Sequence, residues 1–301
     1  MLCVYLDWNI FANFRDWKLK GIYDYSKYKA LEDLKNSGQI KTYFSDAHLL
    51  DLMPKSDDSQ FLPNDLKSIT QLTDDYYIVY DAINHKEYKC VVDPHVVYVY
   101  TSKNFTMNHS FETVRKSCGH LGPLLFKLLL NMKVSTVNDN NSETKETDLK
   151  SDLDKLFMEH NKALNDSKFF KSKREYQLKQ LQTIPSFRTL LSGNSEQKLL
   201  VFSQIFPALL SSLPPEMKNR SDLCLSVFML LDQLHLWTDR VYKNMMIDAL
   251  HAFYASNTDT DFLITNDNNF REKAIIAFHV LGIELPVLNF DEFLDVFKIT
   301  I

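Results

Sequence analysis

Only 6 glycines interrupt 301 residues. So few flexible positions fit a helix-rich chain with short connections. Cysteine is scarce too: Cys3, Cys90, Cys118 and Cys224 stand far apart, and no C-x-x-C spacing occurs. That argues against a zinc knuckle or a redox pair. No secretory leader opens the sequence, so reduced thiols and a cytoplasmic location are expected. No apolar run reaches the length of about 18 residues that a membrane span needs, so no membrane partner is expected. A basic excess is missing as well. The formal net charge is −5, which argues against coating nucleic acid non-specifically, because such binding needs a clear surplus of Lys and Arg.

What is present is a hydrophobic content of 45%, enough for a substantial core. Two apolar stretches, nearly the whole chain apart, each run into an aspartate. LCVYLDWN reads as a buried strand over 2–6 ending in Asp7. DFLITNDNNF reads as a strand over 262–265 that delivers Asp267 to a polar turn before a helix over 269–281. After the first strand, helices are expected at 9–20 and 26–36, then a strand at 40–44. Ser45 suits an N-cap for the helix DAHLLDLM. A helix over 238–256, a strand near 284–288 and a last helix over 290–297 complete the pattern. Strands alternating with helices predict an α/β fold with a parallel sheet flanked by helices. In such sheets ligands bind at the carboxyl ends of the strands.

Between these parts, 54–236 reads as a large, mainly helical insertion. Residues 54–66 are polar with Pro and Asp, and are expected as a loop. The runs 76–83 and 86–92 flank Asn84-His85 and read as a β-hairpin, with helix as the alternative. A helix is expected over 110–132, then a linker over 134–148, which lacks apolar periodicity. The stretch 149–182, broken near Asn165, carries Lys162, Lys168, Lys171, Lys173, Arg174 and Lys179. It reads as a solvated helix face, or alternatively as a phosphate-contacting arm. Helices at 195–212 and 220–236 follow. The expected division is therefore a discontinuous domain, 1–53 with 237–301, around the insertion.

Four carboxylates stand out by position. Asp7 follows the first strand, and Asp51 lies on the helix after the second. Asp248 lies on the helix before the late strand, and Asp267 follows that strand. Clustered carboxylates raise one another's pKa unless a cation is near. Mg²⁺ and Mn²⁺ prefer such oxygens, with waters completing the shell. A bound ion lowers the pKa of its water and steadies charge on a phosphoryl oxygen, which is what phosphodiester hydrolysis requires. Asn9, Ser45, Thr265 and Asn266 are placed to orient the acids. His48 and His251 lie one helical turn from Asp51 and Asp248, as core or supporting groups, with proton handling the alternative. Trp8, Phe11 and Phe270 read as core, with base stacking by Trp8 as the lesser reading. Asp261 starts its strand at the opposite edge and reads as structural.

These motifs together resemble the PIN-domain nucleases. YLDWN gives the first acid, Asp7, with its companion Asn9. FSDAHLLD gives Ser45 and Asp51, an Asp where Glu is common. IDALHAFYA gives Asp248, and ITNDNNF gives Thr265, Asp267 and Phe270. The resemblance implies a PIN-like fold and a metal-dependent endoribonuclease. Its four acids would surround one or two Mg²⁺ or Mn²⁺ ions, with single-stranded or structured RNA as substrate. It also allows an inhibitory or regulatory protein partner. The alternative within the resemblance is a catalytically inactive PIN-like module that binds RNA or protein. A phosphatase-like enzyme with Asp7 as nucleophile is a weaker rival, because Asp-x-Asp is expected there and Asp7-Trp8-Asn9 stands instead. No particular residue is singled out for substrate binding.

Overall fold

The computed structural model describes residues 1–21, 25–53, 61–81, 86–104, 158, 162, 165–183, 188, 192–212, 220–257 and 259–298. The chain divides into two compact units, one of Met1–Phe105 with Ile247–Ile301 and one of Thr106–Met246.

The first unit holds a six-stranded sheet of β1 (Leu2–Leu6), β2 (Ile40–Ser45), β3 (Tyr76–Asp81), β4 (Lys86–Val91), β5 (Phe262–Ile264) and β6 (Val287–Leu288). The strand order is β4-β3-β2-β1-β5-β6. Every neighbouring pair is parallel except β3 with β4. β1 is central, and Val4, Tyr5 and Leu6 are all fully buried in succession. A parallel strand covered on both faces needs such an unbroken apolar run. The chain builds outward from β1 through β2 and β3, then returns to the other side of β1 with β5 and β6. The order therefore reverses between β1 and β5, and the crevice at their carboxyl ends is the topological switch point.

Helices flank this sheet. In α1 (Trp8–Lys20), Ile10, Phe11, Phe14 and Trp17 share one buried face. Each such side chain contributes roughly 1.5–3 kcal/mol on burial. The helix ends where Gly21, at φ 62°, donates its N–H to the Trp17 carbonyl at 3.0 Å. That left-handed cap favours a residue without Cβ. α2 (Tyr25–Asn36) and α3 (Asp46–Leu52) follow as the sequence indicates. Ser45 precedes α3 in extended conformation, and its own N–H is taken by His48 Nδ1 at 3.0 Å. This closes half of a capping box with a histidine in the usual glutamate position.

Two expectations need correction here. The loop over 54–66 is helical from Leu62, because α4 (Leu62–Thr73) accommodates Pro63 in its first turn, where no intrahelical N–H is required. Residues 54–60 lie outside the described residues. The hairpin at β3 and β4 does form, but as part of the main sheet: Phe44 and Ser45 of β2 pair with Tyr77 and Ile78. With α5 (Pro94–Asn104) it belongs to the first unit, whereas the sequence division placed it in the insertion. Its turn, Asn84-His85, lies outside the described residues.

The second unit contains α6 (Ser167–Gln182), α7 (Ser195–Ser212) and α8 (Arg220–Gln233). The helix expected at 110–132 and the linker at 134–148 lie outside the described residues. In this unit Phe170, Phe202, Phe206, Val227 and Phe228 are buried. Of the basic residues on α6, Lys168, Lys171 and Lys179 are exposed. Arg174 instead turns inward and binds Asp232 at 2.9 Å and the Asp239 carbonyl at 3.1 Å. The unit boundary falls within the first turns of α9 (Tyr242–Asn257). The chain closes in the first unit with α10 (Asn268–Leu281) and α11 (Phe290–Val296). No helix among the described residues is long and apolar enough to cross a membrane.

Candidate functional site

Asp7 leaves β1 at the switch point and caps α1, accepting the Trp8 N–H on Oδ1 at 2.7 Å. Its Oδ2 accepts the Thr265 hydroxyl at 2.7 Å and the side-chain amide of Asn9. Asn9 also donates to Thr265 Oγ1 at 2.9 Å and accepts the Asn266 N–H at 3.1 Å. Thr265 Oγ1 in turn accepts the Asp267 N–H at 3.0 Å. These bonds stitch the end of β1 to the end of β5. Asn9 and Thr265 thus hold Asp7 directly, whereas the Asn266 side chain accepts the Phe290 N–H at 3.2 Å and bonds to none of the acids. The other end of β5 behaves as a structural tie: Cys3 N–H donates to Asp261 at 2.7 Å.

His251, buried on α9, joins Asp7 to Asp51. Its Nε2 lies 2.8 Å from Asp51 Oδ2 and 3.8 Å from Asp7 Oδ1. Its Nδ1 meets the Tyr5 hydroxyl at 3.0 Å, and that hydroxyl meets Ser45 Oγ at 2.7 Å. Ser45 Oγ continues to His48 Nδ1 at 3.1 Å, and His48 Nε2 to the Leu6 carbonyl at 2.7 Å. The ends of this relay fix one tautomer. A backbone N–H can only donate and a carbonyl can only accept, so His48 is neutral with its proton on Nε2.

Burial sets the electrostatics. It pushes the Asp7 carboxyl up to about 6, with the Asp51 charge adding, while His251 and the Thr265 hydroxyl pull it back. Burial alone would lower His251, but its bond to Asp51 and the charges of Asp7 and Asp51 outweigh this and raise it. His48 is held well below the ordinary histidine value, first by burial and then by His251. Only one histidine of the pair is thus built to carry charge.

The other two acids are held differently. Asp248 sits one turn before His251 on α9 and faces the Lys273 ammonium at 3.4 Å. Asp267 is exposed and caps α10, where its Oδ1 accepts the N–H groups of Asn269 at 2.8 Å and Phe270 at 3.0 Å. Among the described residues, no three His, Cys, Asp or Glu side chains are grouped to hold a metal ion. The structure therefore brings Asp7 and Asp51 together around His251, with Asp248 and Asp267 bound to partners of their own. Trp8, Phe11 and Phe270 are buried as core residues.

The sequence reading missed three residues. Lys273 is fully buried, and its spacing from Phe270 and Ala277 on α10 puts it on the apolar stripe. That spacing was available as a signal. Tyr5 looked like one more apolar residue of β1. Asp46 looked like an ordinary first-turn acid, yet it accepts the hydroxyls of Tyr77 and of Tyr254, the latter at 3.0 Å. Compared with known proteins, the chain matches no family model, no curated protein and no solved structure.

Proposed function

We propose that the protein is a metal-dependent endoribonuclease of PIN-like type, with Asp7 and Asp51 as its principal acids. The observation that carries this reading is the location of Asp7. It lies at the switch point of a mainly parallel sheet, fastened to Thr265 on the adjacent strand end. Ligands of open α/β sheets enter there.

The residues present suit an ion such as Mg²⁺ or Mn²⁺ in a limited way. Mg²⁺ keeps several waters and is commonly bound through one or two carboxylates, so the Asp7–Asp51 pair suffices as an anchor. Burial pushes the Asp7 carboxyl up to about 6, and a neighbouring cation would favour its charged form. Asp248 and Asp267 would join only after leaving Lys273 and the α10 N-terminus. When bound, the ion would supply a more acidic water and charge stabilisation at phosphoryl oxygen. The chain's own residues do the rest. Asn9 and Thr265 lock the Asp7 carboxylate, and His251 orients Asp51 towards it. The relay through Tyr5 and Ser45 fixes the imidazole from behind.

One observation favours the alternative of an inactive PIN-like module that binds RNA or protein. His251 and Lys273 already offset the acids from within. The two readings separate on a labelled RNA panel with Mg²⁺, Mn²⁺ or EDTA and the Asp7→Asn and Asp51→Asn variants. The nuclease reading expects cleavage that EDTA abolishes and that each variant lowers on the order of 10²-fold or more. It also expects Mn²⁺ to raise the melting temperature by mass action. Unchanged melting with Mn²⁺ and no cleavage would leave the binding module, and a protein partner would then be sought as its ligand.

A further inference from the structure

In the first unit, an open cavity of about 600 Å³ lies between the β3–β4 hairpin and α5. Its wall includes Val79, Val92, Val97, Tyr77 and Tyr100, and a carboxylate, Asp46, reaches it. A mostly apolar cavity of this size with one acidic group is the usual form of a small-ligand site. The acid is built in. Tyr77 and Tyr254 each donate a hydroxyl to a different oxygen of Asp46. Two phenol donors define a carboxylate acting as an acceptor, and each oxygen keeps a second lone pair. Burial raises Asp46 above the usual carboxylate range, partly offset by the two hydroxyls. The group therefore gains from further donors. Among the described residues, no basic side chain lines the cavity, which disfavours a phosphate there.

We infer that this cavity receives the guanine base of a single-stranded RNA, with the two oxygens of Asp46 accepting from guanine N1–H and the 2-amino group. This inference rests on the nuclease reading for its choice of RNA. Among the common bases, guanine alone offers two adjacent donors on its Watson–Crick edge, and a carboxylate accepts two parallel bonds. Unpaired bases are read on that edge while stacked on aromatic side chains. Tyr100, well exposed at the rim, supplies a stacking face. The cavity shares α3 with the acid site, and α9 reaches its Asp46 through the Tyr254 hydroxyl. Asp46 and Asp51 lie five positions apart on α3, a rise of about 7.5 Å. Tyr254 and His251 lie three positions apart on α9. A base held at Asp46 thus brings its neighbouring phosphodiester towards the acids.

The test uses the full chain without metal, so binding is read separately from cleavage. Calorimetric titrations with guanosine, inosine, adenosine, cytidine and uridine are compared, then repeated with a single-stranded tetranucleotide holding one G. Guanosine is expected to bind at least 10-fold more tightly than inosine, which lacks the 2-amino group, and the other three more weakly still. Asp46→Asn replaces one acceptor by a donor and should lose the preference. Val96→Trp, at an exposed position on the cavity wall, should fill the space and lose guanosine while keeping the wild-type circular dichroism. Equal binding of all nucleosides, no binding of guanosine, or an unchanged preference in Asp46→Asn would overturn the inference. So would tight binding of guanosine triphosphate with none of the G-containing RNA, which would mark a free-nucleotide site. Guanosine selectivity in a protein that cuts no RNA would sink the nuclease reading and leave the base pocket standing. Cleavage with no base preference would do the reverse.

Discussion

His251 Nε2 lies 2.8 Å from Asp51 Oδ2 and reaches across to Asp7, so one imidazole ties the helix after β2 to the end of β1. Removing it should leave the two acids without the imidazole that lies between them. His251→Asn is expected to reduce RNA cleavage by about 10–100-fold, the usual cost of losing a group that orients a metal-binding carboxylate. Single-turnover rates at saturating Mn²⁺ check this. A rate equal to wild type would show that Asp51 needs no such support.

Thr265 gives a sharper version of the same question. Its buried hydroxyl donates to Asp7 Oδ2 at 2.7 Å and accepts the Asp267 N–H. Thr265→Val keeps the shape and removes both roles. A hydrogen bond to a charged group contributes about 1.5–3 kcal/mol, so urea unfolding should show a loss of that order. Cleavage should fall by about 10-fold or more, and Thr265→Ser should restore most of both. A valine variant with full activity would separate Asp7 positioning from function.

The pH dependence of stability should carry a signature of His48. Its folded pKa is depressed by burial, below the unfolded value of about 6.5. Above that value both states are neutral and His48 contributes no slope. As the pH falls below it, the unfolded chain takes a proton that the folded chain refuses, so stability is lost. The loss approaches about 1.4 kcal/mol per pH unit until the folded pKa is reached. His48→Gln should lack this component, since glutamine at the same position can accept the Ser45 N–H in a capping box. Urea midpoints for both proteins between pH 5 and 8 give the difference directly. Parallel curves would mean that His48 binds its proton equally well in the folded and unfolded chains.

Much of this frame was legible in the residues. Short apolar runs closed by Asp7, Ser45 and Asp267 marked three strand ends, because a central parallel strand must be apolar and its end polar. The sheet to which the hairpin belongs was not legible. β3 pairs with β2 through main-chain groups that carry no sequence signal, and so the domain boundary was misplaced. Side-chain partners were also hidden. Asp267 reads the same whether it faces a metal or caps α10, and in the fold its Oδ1 takes two helix N–H groups. Asp248 reads as an acid on a helix, whereas its neighbour depends on the rotation of another helix, α10.

That neighbour supports a last prediction. Lys273 is completely buried, and its ammonium stands 3.4 Å from Asp248, whose side chain is 22% exposed. Removing one partner of a fully buried pair costs about 3–5 kcal/mol, because the remaining charge is left uncompensated. Water reaches Asp248, so Lys273→Met should cost less, on the order of 1–3 kcal/mol in urea unfolding. Methionine fills much of the lysine's volume, which keeps cavity formation out of the comparison. Asp248→Asn removes the charge from the other side, and the double variant completes a cycle. Groups in direct contact show coupling of about 0.5–3 kcal/mol; single effects that add to within about 0.3 kcal/mol would show that Lys273 is held by other contacts. The same variant probes the metal reading. The resident ammonium and a divalent ion would compete for one carboxylate, so Lys273→Met should increase the rise in melting temperature produced by Mn²⁺. Asp248→Asn introduced alongside it should cancel that increase. If Mn²⁺ stabilises Lys273→Met no more than wild type, Asp248 serves only as the lysine's counterion, and any ion rests on Asp7 and Asp51 alone.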